Sequence, residues 1–415
     1  MLFRSASPDG LNINDGCGST HMEDLVEAVL VTKQKSFNKD AFLKRHAGDL
    51  FGNGLLSSDG SFWLRQRRMM QPAFHRQRIQ QYSDIVVDCT HAQLAQLVRG
   101  NVIDMSQLMM QLTLDIVARA LFGTIDILQQ QQISEALDVS MRQFASEGWA
   151  DVATATLKIP VVNKPWERYL AAVAVLDAVI DQIIDTRMRD AGDHTDLLAM
   201  LLEARDDDGN AMSKQQLRDE CKTMFLAGHE TTALTLSWAM WLVARHPRVW
   251  QGMRHEIQQV LGTRAPTYTD MPQLIYVEQV IRETMRLYPP AFIISRESIE
   301  DVEIGEYTIP AHTDLQMSQY AMHRDARYYA QPDAFRPERW TEDFKAQLPK
   351  YAYFPFGGGP RICIGQQFAM MEATLILTML VQYADWDVLP LQRIVPQPAI
   401  TMRPKYGIKM RPHQH

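Results

Sequence analysis

The chain has 415 residues, of which 46% are hydrophobic and 22% are charged, and its formal net charge is −7. These proportions are typical of a globular protein, and the negative charge argues against a protein that binds nucleic acid. The four cysteines are far apart, which argues against a disulfide framework or a zinc site and favours a reducing, cytoplasmic location.

The first 22 residues follow no periodic pattern. They are polar and rich in Gly, Ser and Asp, and they lack the apolar core of a signal peptide. We interpret residues 1–22 as an atypical N-terminal segment or an artificial extension, and we expect residues 23–415 to form a single domain. No run of about 18 apolar residues predicts a membrane-spanning helix.

From Glu23 onward the sequence predicts mostly helices. Amphipathic periodicity places them at Glu23–Thr32, Ser61–Met70, Leu108–Phe122, Trp166–Arg189 and Asp196–Ala204. The acidic loop 206–210 begins like a calcium-binding loop but lacks the glycine and the closing glutamate of such a site. We therefore interpret this loop as a solvated turn.

The longest predicted helix begins at Ser213 and runs to Arg245 with no proline inside it. Ser213 and Gln216 have the spacing of a capping box. At ~1.5 Å per residue the helix would extend on the order of 50 Å, enough to cross the whole molecule. Two further helices are predicted at Val249–Leu261 and Met271–Leu287.

After Pro289 and Pro290 the character of the sequence changes. Residues 292–318 are rich in β-branched and turn residues, which is typical of short antiparallel strands. An irregular, proline-rich stretch follows, and then a helix at Gln366–Tyr383 and a hairpin over residues 394–410. The sequence thus predicts a mainly α fold with small β-sheets.

The stretch FGGGPRICIG, residues 356–365, places Cys363 in a glycine-rich loop directly before a helix. The unpaired N–H groups and the dipole of a helix N-terminus stabilise a thiolate, and glycines let backbone N–H groups approach the sulfur. A lone cysteine without a second ligand disfavours zinc, whereas a thiolate can be the sole protein ligand of haem iron. On this loop alone, an inert buried cysteine is the alternative.

A second motif, Gly228-His229-Glu230-Thr231, lies inside the longest predicted helix. It begins like a zinc-binding HExxH motif, but Ala233 stands where the second histidine belongs. Gly228 costs roughly 1 kcal/mol relative to alanine in a helix interior, which the close approach of a ligand would explain. Thr231 can bond back to a preceding carbonyl and loosen the helix. A flexible spot in a buried helix is the alternative.

Two charged pairs complete the motifs. Trp63 and Arg67 share one helix face and offer only hydrogen-bond donors, which suits a carboxylate, although a basic solvated helix fits equally well. Glu283 and Arg286 are three residues apart, so they can pair on one face of a helix, but such a pair contributes little on a surface.

Phe356, Gly359, Arg361, Cys363 and Gly365 match every fixed position of the haem-binding signature of the cytochrome P450 family. The chain resembles this family from about residue 23 to residue 410. The resemblance implies the cytochrome P450 fold, with a long central helix and with the family's N-terminal helix and opening strands missing here. It also implies haem b (iron protoporphyrin IX) as the cofactor, with Cys363 as the iron ligand.

The resemblance further assigns roles to individual residues. Glu230 and Thr231 would be the acid–alcohol pair that relays protons during dioxygen activation, and Glu283, Arg286 and Arg339 would form a buried structural network. The implied cofactor-binding residues are Trp63, Arg67, Ala227, Gly228, Arg296, Pro355, Phe356, Gly357, Arg361, Ile364 and Gly365. The implied substrate-pocket residues are Phe225, Ala291, Phe292, Ile293, Ile294 and Ile400.

The function implied by the resemblance is that of a monooxygenase. It would activate O2 at the Cys-ligated iron and hydroxylate or epoxidise a hydrophobic small molecule. Two electrons would come from NAD(P)H through a ferredoxin and its reductase or a similar donor, and the exposed Arg65, Arg68, Arg76 and Arg78 would attract an acidic donor. A peroxide-using haem-thiolate enzyme and a non-catalytic haem sensor are alternatives, and the acid–alcohol pair argues against both. We expect a monomer.

Overall fold

A computed structural model describes residues 2–4, 21–40, 48–123, 126, 128–141, 164–190, 192 and 194–413. Most of the segment 1–22, which we interpret as atypical, therefore lies outside the described residues. The described chain is mainly helical with small antiparallel sheets, which confirms the predicted fold class. In this described part, no helix is both long and apolar enough to cross a membrane.

The helices are α1 (Met22–Glu27, continued by a π-helical turn at Ala28–Thr32), α2 (Gly60–Met70), α3 (Arg76–Ala95), α4 (Met105–Phe122), α5 (Lys164–Arg189), α6 (Leu197–Glu203), α7 (Lys214–Ala244), α8 (Pro247–Leu261), α9 (Ile275–Leu287), α10 (Gln319–Met322), α11 (Glu342–Gln347) and α12 (Gln366–Tyr383). Residues 48–51 and 128–141 are also helical. The strands are β1 (Leu2–Arg4), β2 (Phe37–Asn38), β3 (Ile103–Asp104), β4 (Ile294–Ser298), β5 (Val302–Ile304), β6 (Tyr307–Ile309), β7 (Asp314–Met317), β8 (Asp385–Val388), β9 (Pro396–Pro398), β10 (Met402–Pro404) and β11 (Lys409–His413).

Helix α7, hereafter the central helix, has 31 residues and a length on the order of 46 Å. Its N-cap is Ser213, whose hydroxyl accepts a hydrogen bond from the N–H of Gln216 at 3.2 Å. Only this half of the predicted capping box is formed among the described residues, because no bond from the Ser213 N–H to the side-chain oxygen of Gln216 accompanies it. The central helix packs against α4, α5, α9 and α12.

The buried apolar residues of the central helix fall into two groups. Residues 217–226 join one hydrophobic cluster, and residues 233–243 join another. Between the groups lie residues 227–232, which include the Gly228-Glu230-Thr231 motif. The middle of the central helix is therefore the place where the packed core leaves room for a cavity.

The largest sheet has the strand order β1-β7-β4-β2, with antiparallel neighbours throughout. The sequence analysis expected the opening strands to be missing, whereas Leu2–Arg4 forms strand β1 and pairs with β7. The predicted tail hairpin forms over residues 396–404 as β9 and β10, hereafter the tail hairpin. Strand β11, whose first residues the sequence analysis placed in the hairpin, pairs instead with β8 and β3.

Three helical features differ from the sequence expectations. Helix α3 and the helical residues 128–141 were not predicted. The helix predicted at Met271–Leu287 is divided, because a 3-10 turn at Tyr268–Gln273 ends at Leu274, where the backbone is not helical (φ −88°, ψ 56°). Only residues 275–287 therefore form α9.

Candidate functional site

A cavity of about 370 Å³ lies between the middle of the central helix and the loop 356–365, hereafter the cysteine loop. Ala227, Gly228 and Thr231 line its helix side, and Phe356 and Cys363 line the opposite side. The two strongest sequence motifs thus face each other across one cavity, although they are separated by more than a hundred residues.

The sulfur of Cys363 faces this cavity from just before the start of α12. The loop is fixed by the N–H of Cys363, which donates to the carbonyl of Phe356 at 2.9 Å. Burial raises the pKa of the Cys363 thiol, whereas the Gly365 N–H that points at the sulfur and the charge of Arg67 lower it. No group of three or more metal-ligating side chains occurs among the described residues.

Two glycines of the cysteine loop are explained by the backbone conformation and packing of the loop rather than by the sulfur. Gly357 and Gly359 have positive φ angles of 74° and 64°. A Cβ atom on Gly359 would lie 1.9 Å from the carbonyl oxygen of Leu30, so a side chain is excluded there. The sequence analysis expected glycines to bring backbone N–H groups to the sulfur. Among the described residues Gly365 does so, since its N–H points at the sulfur.

Arg361 lies beside Trp63 at one end of the cavity. Its guanidinium carbon lies 4.3 Å from the centre of the Trp63 ring, and Nη2 lies 2.7 Å from Oδ1 of Asp59. Nη1 and Nη2 also donate to the carbonyl of Ser58 at 3.0 and 3.1 Å. Arg67, one turn along α2 from Trp63, lines the same cavity.

Arg296 and Lys39 bring further positive charge to this end of the cavity. Burial, reinforced by the neighbouring Arg361, lowers the pKa of Arg296 to about 10. Burial also lowers the pKa of Lys39 well below its usual value, and Arg296 and Arg361 add to the effect. Sequence analysis missed Lys39, because no local motif distinguishes it from a surface lysine.

The charges at this end do not balance among the described residues. Four cations line the cavity there: Lys39, Arg67, Arg296 and Arg361. The carboxylates that act on this group are Asp40 and Asp59, so the basic side chains outnumber the carboxylates by two (four minus two). Two propionates would balance this excess, and the aromatic rings of Trp63, Phe356 and Phe368 supply apolar walls. The site therefore fits haem with Cys363 as its iron ligand.

Gly228 lines the cavity, and close packing against α4 also favours a small residue there. A Cβ atom at this position would lie 3.0 Å from Cγ2 of Val117 on α4. Thr231 faces the cavity, and its hydroxyl donates to the carbonyl of Ala227 at 2.8 Å, as the sequence predicts. Glu230 is 1% exposed and turns away, toward Thr401 and Arg403 of the tail hairpin.

The three charged residues of the implied structural network meet in the protein interior. Glu283 and Arg286 are fully buried, with Arg286 Nε 2.9 Å from Glu283 Oε2. Arg339 Nε lies 3.0 Å from Glu283 Oε1. Trp340 also donates to Glu283, at 2.9 Å, and sequence analysis missed this contact. The network joins α9 to the irregular stretch that precedes the cysteine loop.

The residues implied to contact substrate separate into two groups. Ala291 and Ile294 line the cavity. Phe225, Phe292, Ile293 and Ile400 are not among its lining residues. Phe225 is instead fully buried against Phe122, with ring centres 5.1 Å apart. Of the remaining implied cofactor residues, Pro355, Gly357, Ile364 and Gly365 all line the cavity.

Sequence analysis missed much of the wall above the cysteine loop. This wall includes Leu55, Leu56, Val117, Ala120, Leu121, Leu197, Thr223 and Met224. Thr223, Ala227, Thr231 and Thr235 all line the cavity at four-residue spacing, so they form one face of the central helix. That spacing was a signal in the sequence that would have identified Thr223 and Thr235.

The basic cluster on α2 is already partly neutralised. Arg65 Nε lies 2.6 Å from Oδ2 of Asp206, and Arg68 Nη1 lies 2.9 Å from Oδ2 of Asp207. The acidic loop 206–210, which we interpreted as a solvated turn, is a turn that also pairs with α2. Both arginines therefore contribute less to a free positive surface than the sequence indicated.

The family model described as Cytochrome P450 matches residues 20–411. Cyclooctatin synthase of Streptomyces melanosporofaciens is 36% identical over 383 residues, covering 91% of this chain and 82% of that protein. Cyclooctat-9-en-7-ol 5-monooxygenase of the same organism is 36% identical over 360 residues, covering 85% and 76%. The solved structure of the cytochrome P450DA heme domain matches with a TM-score of 0.86 at 25% identity, covering 95% of this chain and 86% of that one.

Proposed function

Because the chain belongs to the cytochrome P450 family and is thus a monooxygenase, we propose that it hydroxylates or epoxidises a cyclic hydrocarbon-like substrate at a haem b held by Cys363. The single observation that carries the proposal is the cavity that joins the Cys363 sulfur, an excess of two basic side chains and the Thr231 hydroxyl. A haem-dependent oxygenation uses all three features.

The protein would hold haem b at three points. Cys363 would bind the iron, Arg296 and Arg361 would bind the propionates together with Lys39, and Trp63 would cover the propionate edge. Bound there, haem b would supply dioxygen binding and the oxidative chemistry. Thr231 is placed to hold a proton at its hydroxyl on the cavity side, and the apolar walls exclude water from the substrate.

The aliphatic wall supports an apolar, terpenoid-like substrate. The side chains above the cysteine loop are mostly aliphatic, and the threonines of the central helix line the same cavity. One relative's name specifies an unsaturated cyclic alcohol, cyclooctat-9-en-7-ol. A compact ring system with few polar groups would match this wall, and Ala291 and Ile294 would contact it from the side.

Electrons would come from NAD(P)H through a ferredoxin and its reductase or a similar donor. Arg76 on α3 is exposed and Arg78 is partly exposed, and no ion pair with either occurs among the described residues. They would attract an acidic donor more strongly than Arg65 and Arg68, which already pair with the acidic loop.

The proposal is tested by spectroscopy of the purified protein. We expect the reduced protein with carbon monoxide to show the red-shifted Soret band of thiolate ligation, and Cys363→Ala to lose that band. Cyclooctat-9-en-7-ol should shift the spin state of the ferric haem and be converted to an oxygenated product. A histidine-type Soret band in the intact protein would refute the thiolate assignment.

Thr231→Ala tests the assigned proton role separately. The variant should keep haem and the thiolate spectrum but divert most electrons to hydrogen peroxide, because the hydroxyl that holds the proton is gone. Thr235→Ala, one turn further along the same helix face, is the matched control. Equal yields of product per NADPH in the two variants would contradict the role of Thr231.

A further inference from the structure

We propose that Thr401 and Arg403 of the tail hairpin are positioning residues for Glu230, which hold its carboxylate away from Thr231 and connect it to solvent. The proposal rests on the proposed function, because it concerns proton delivery in that reaction. It adds a part of the chain, the tail hairpin, that neither the haem signature nor the central-helix motif includes.

The contacts of Glu230 carry the proposal. Arg403 Nε donates to Glu230 Oε1 at 2.5 Å, and the Thr401 hydroxyl donates to the same oxygen. Thr231, the next residue along the helix, donates instead to the carbonyl of Ala227 at 2.8 Å. The acid and the alcohol are therefore adjacent in the chain but bound to different partners, and the acid is bound by the tail hairpin.

The tail hairpin is itself firmly docked, so its donors have defined positions. The N–H of Met402 donates to the carbonyl of Pro290 at 3.0 Å. The indole N–H of Trp238, two turns beyond Glu230, donates to the carbonyl of Met402 at 3.1 Å. Met402 lies between Thr401 and Arg403 in the chain, so both donors are fixed relative to the central helix.

The two side chains of the ion pair are buried to different extents. The side chain of Glu230 is 2% exposed, whereas that of Arg403 is 27% exposed. The adjacent His229 provides no second charge, because burial lowers the pKa of its ring and Arg403 lowers it further. Without Arg403, Glu230 would be a buried carboxylate with no counter-ion among the described residues, and such a group takes up a proton.

The geometry provides a route for proton transfer in which every proton is accounted for. A hydronium ion from solvent at the exposed edge of Arg403 gives a proton to the Glu230 carboxylate and becomes water, which weakens the ion pair and frees the carboxyl group to turn toward Thr231. Thr231 passes its own hydroxyl proton into the cavity and receives the proton of Glu230 in return. Each proton that enters the cavity is thus replaced by one from solvent, Arg403 keeps its own proton, and no electrons move.

The first test is independent of turnover. Infrared difference spectra of Arg403→Gln and the unchanged protein at pH 7 should show a new carbonyl band of a protonated carboxylic acid. The band should be absent from the double variant Arg403→Gln/Glu230→Gln, which assigns it to Glu230. Absence of the band from Arg403→Gln would show that Glu230 stays ionised without Arg403, and the proposal would be overturned.

The second test measures product formed per oxygen consumed, with cyclooctat-9-en-7-ol as the probe. Arg403→Gln should lower this ratio at least threefold, and Arg403→Lys should restore more than half of it, because a lysine keeps the charge. Thr401→Val removes one donor while keeping shape and charge, so it should lower the ratio even if Arg403→Gln folds poorly. Arg411→Gln, an exposed arginine on β11, is the matched control.

A ratio in Arg403→Gln and Thr401→Val equal to that of Arg411→Gln would overturn the proposal. Haem content and the carbon monoxide spectrum should match in all variants, which excludes a general structural defect. If the unchanged protein forms no product from the probe, the proposed substrate class has failed, and the infrared comparison still decides the positioning of Glu230.

Discussion

Glu372 on α12 is a buried acid that the proposed reaction does not use. The carboxyl group is fully buried, and no described residue makes a hydrogen bond of ordinary geometry to either oxygen. Burial raises the pKa of Glu372 to about 8, against a smaller opposing effect of the Thr232 hydroxyl. At neutral pH the group is therefore mostly protonated in the folded protein, whereas in the unfolded chain it ionises near pH ~4.3.

This difference predicts a pH dependence of stability. From about pH 4.3 to about pH 8 the folded state holds a proton that the unfolded state has lost, so the free energy of unfolding falls as the pH rises, by up to ~1.4 kcal/mol per pH unit. Glu372→Gln removes the titrating group. We therefore expect the stability advantage of the Glu372→Gln variant over the unchanged protein to grow with pH in urea unfolding series.

Glu342→Gln, an exposed glutamate on α11, is the control for that series and should give a difference that does not change with pH. If plots of the free energy of unfolding against pH run parallel for Glu372→Gln and the unchanged protein from about pH 5 to about pH 8, burial does not shift the pKa of this carboxyl group.

The sequence predicts the role of a residue when its neighbours in the chain form a motif with it. Cys363 and Arg361 belong to one ten-residue stretch, and Glu283 and Arg286 are one helical turn apart. Lys39, Thr401 and Arg403 carry no such local signal. They reach the cavity or Glu230 through contacts with segments distant in the chain, which periodicity and spacing do not encode.

Among the elements, the cysteine loop depends on its contact with the π-helical turn after α1. Gly359 has a φ of +64°, and a Cβ there would meet the carbonyl oxygen of Leu30 at 1.9 Å. Gly209, in the acidic loop, has a φ of +81° but no atom within 4 Å of an added Cβ. The two glycines share a left-handed backbone and differ in packing.

The comparison predicts two different losses of stability. Gly359→Ala should lower the free energy of unfolding by about 3 kcal/mol, of which ~1 kcal/mol is backbone strain and ~2 kcal/mol is overpacking. Gly209→Ala should lose only the ~1 kcal/mol of strain. Thermal unfolding of both variants measures the difference, and equal losses would mean that the contact with Leu30 relaxes freely.

The helices that the sequence predicted well begin at positions that the sequence marks, the central helix after its Ser213 cap and α12 after Gly365 of the cysteine loop. Helix α12 spans the predicted residues 366–383. The central helix was predicted from Ser213 to Arg245 and is one residue shorter at each end. Helix α3 begins after His75 with no side-chain cap, and many of its residues are polar. Its buried stripe, which includes Ile79, Tyr82 and Val86, becomes evident only once its partners α4 and α12 are in place.

Across the whole molecule, the sheets join strands that are far apart in the chain. Strand β1 pairs with β7, and β3 pairs with β11. The sequence shows local strand patterns near residues 292–318, but the pairing of distant strands depends on how the helices pack between them. The sequence therefore predicts the presence of small sheets more readily than their strand order.

The excess positive charge of the cavity is likewise a property of the whole fold, since Lys39, Arg67, Arg296 and Arg361 come from four separate segments. Lys39 lies beside two arginines in a buried environment, which lowers its pKa well below the usual value. Without an anion this arrangement destabilises the protein, and with the two propionates of haem it becomes favourable.

Lys39→Met should therefore have opposite effects on the haem-free and haem-bound protein. The haem-free variant should unfold roughly 2–4 °C higher, because a buried like charge is removed. The haem-bound variant should lose haem to excess apomyoglobin about tenfold faster, because a charge-assisted hydrogen bond contributes roughly 1.5 kcal/mol. Lys405→Met, at an exposed lysine beyond the tail hairpin, should change neither quantity. A variant that destabilises both forms would mean that Lys39 supports the fold rather than the propionates.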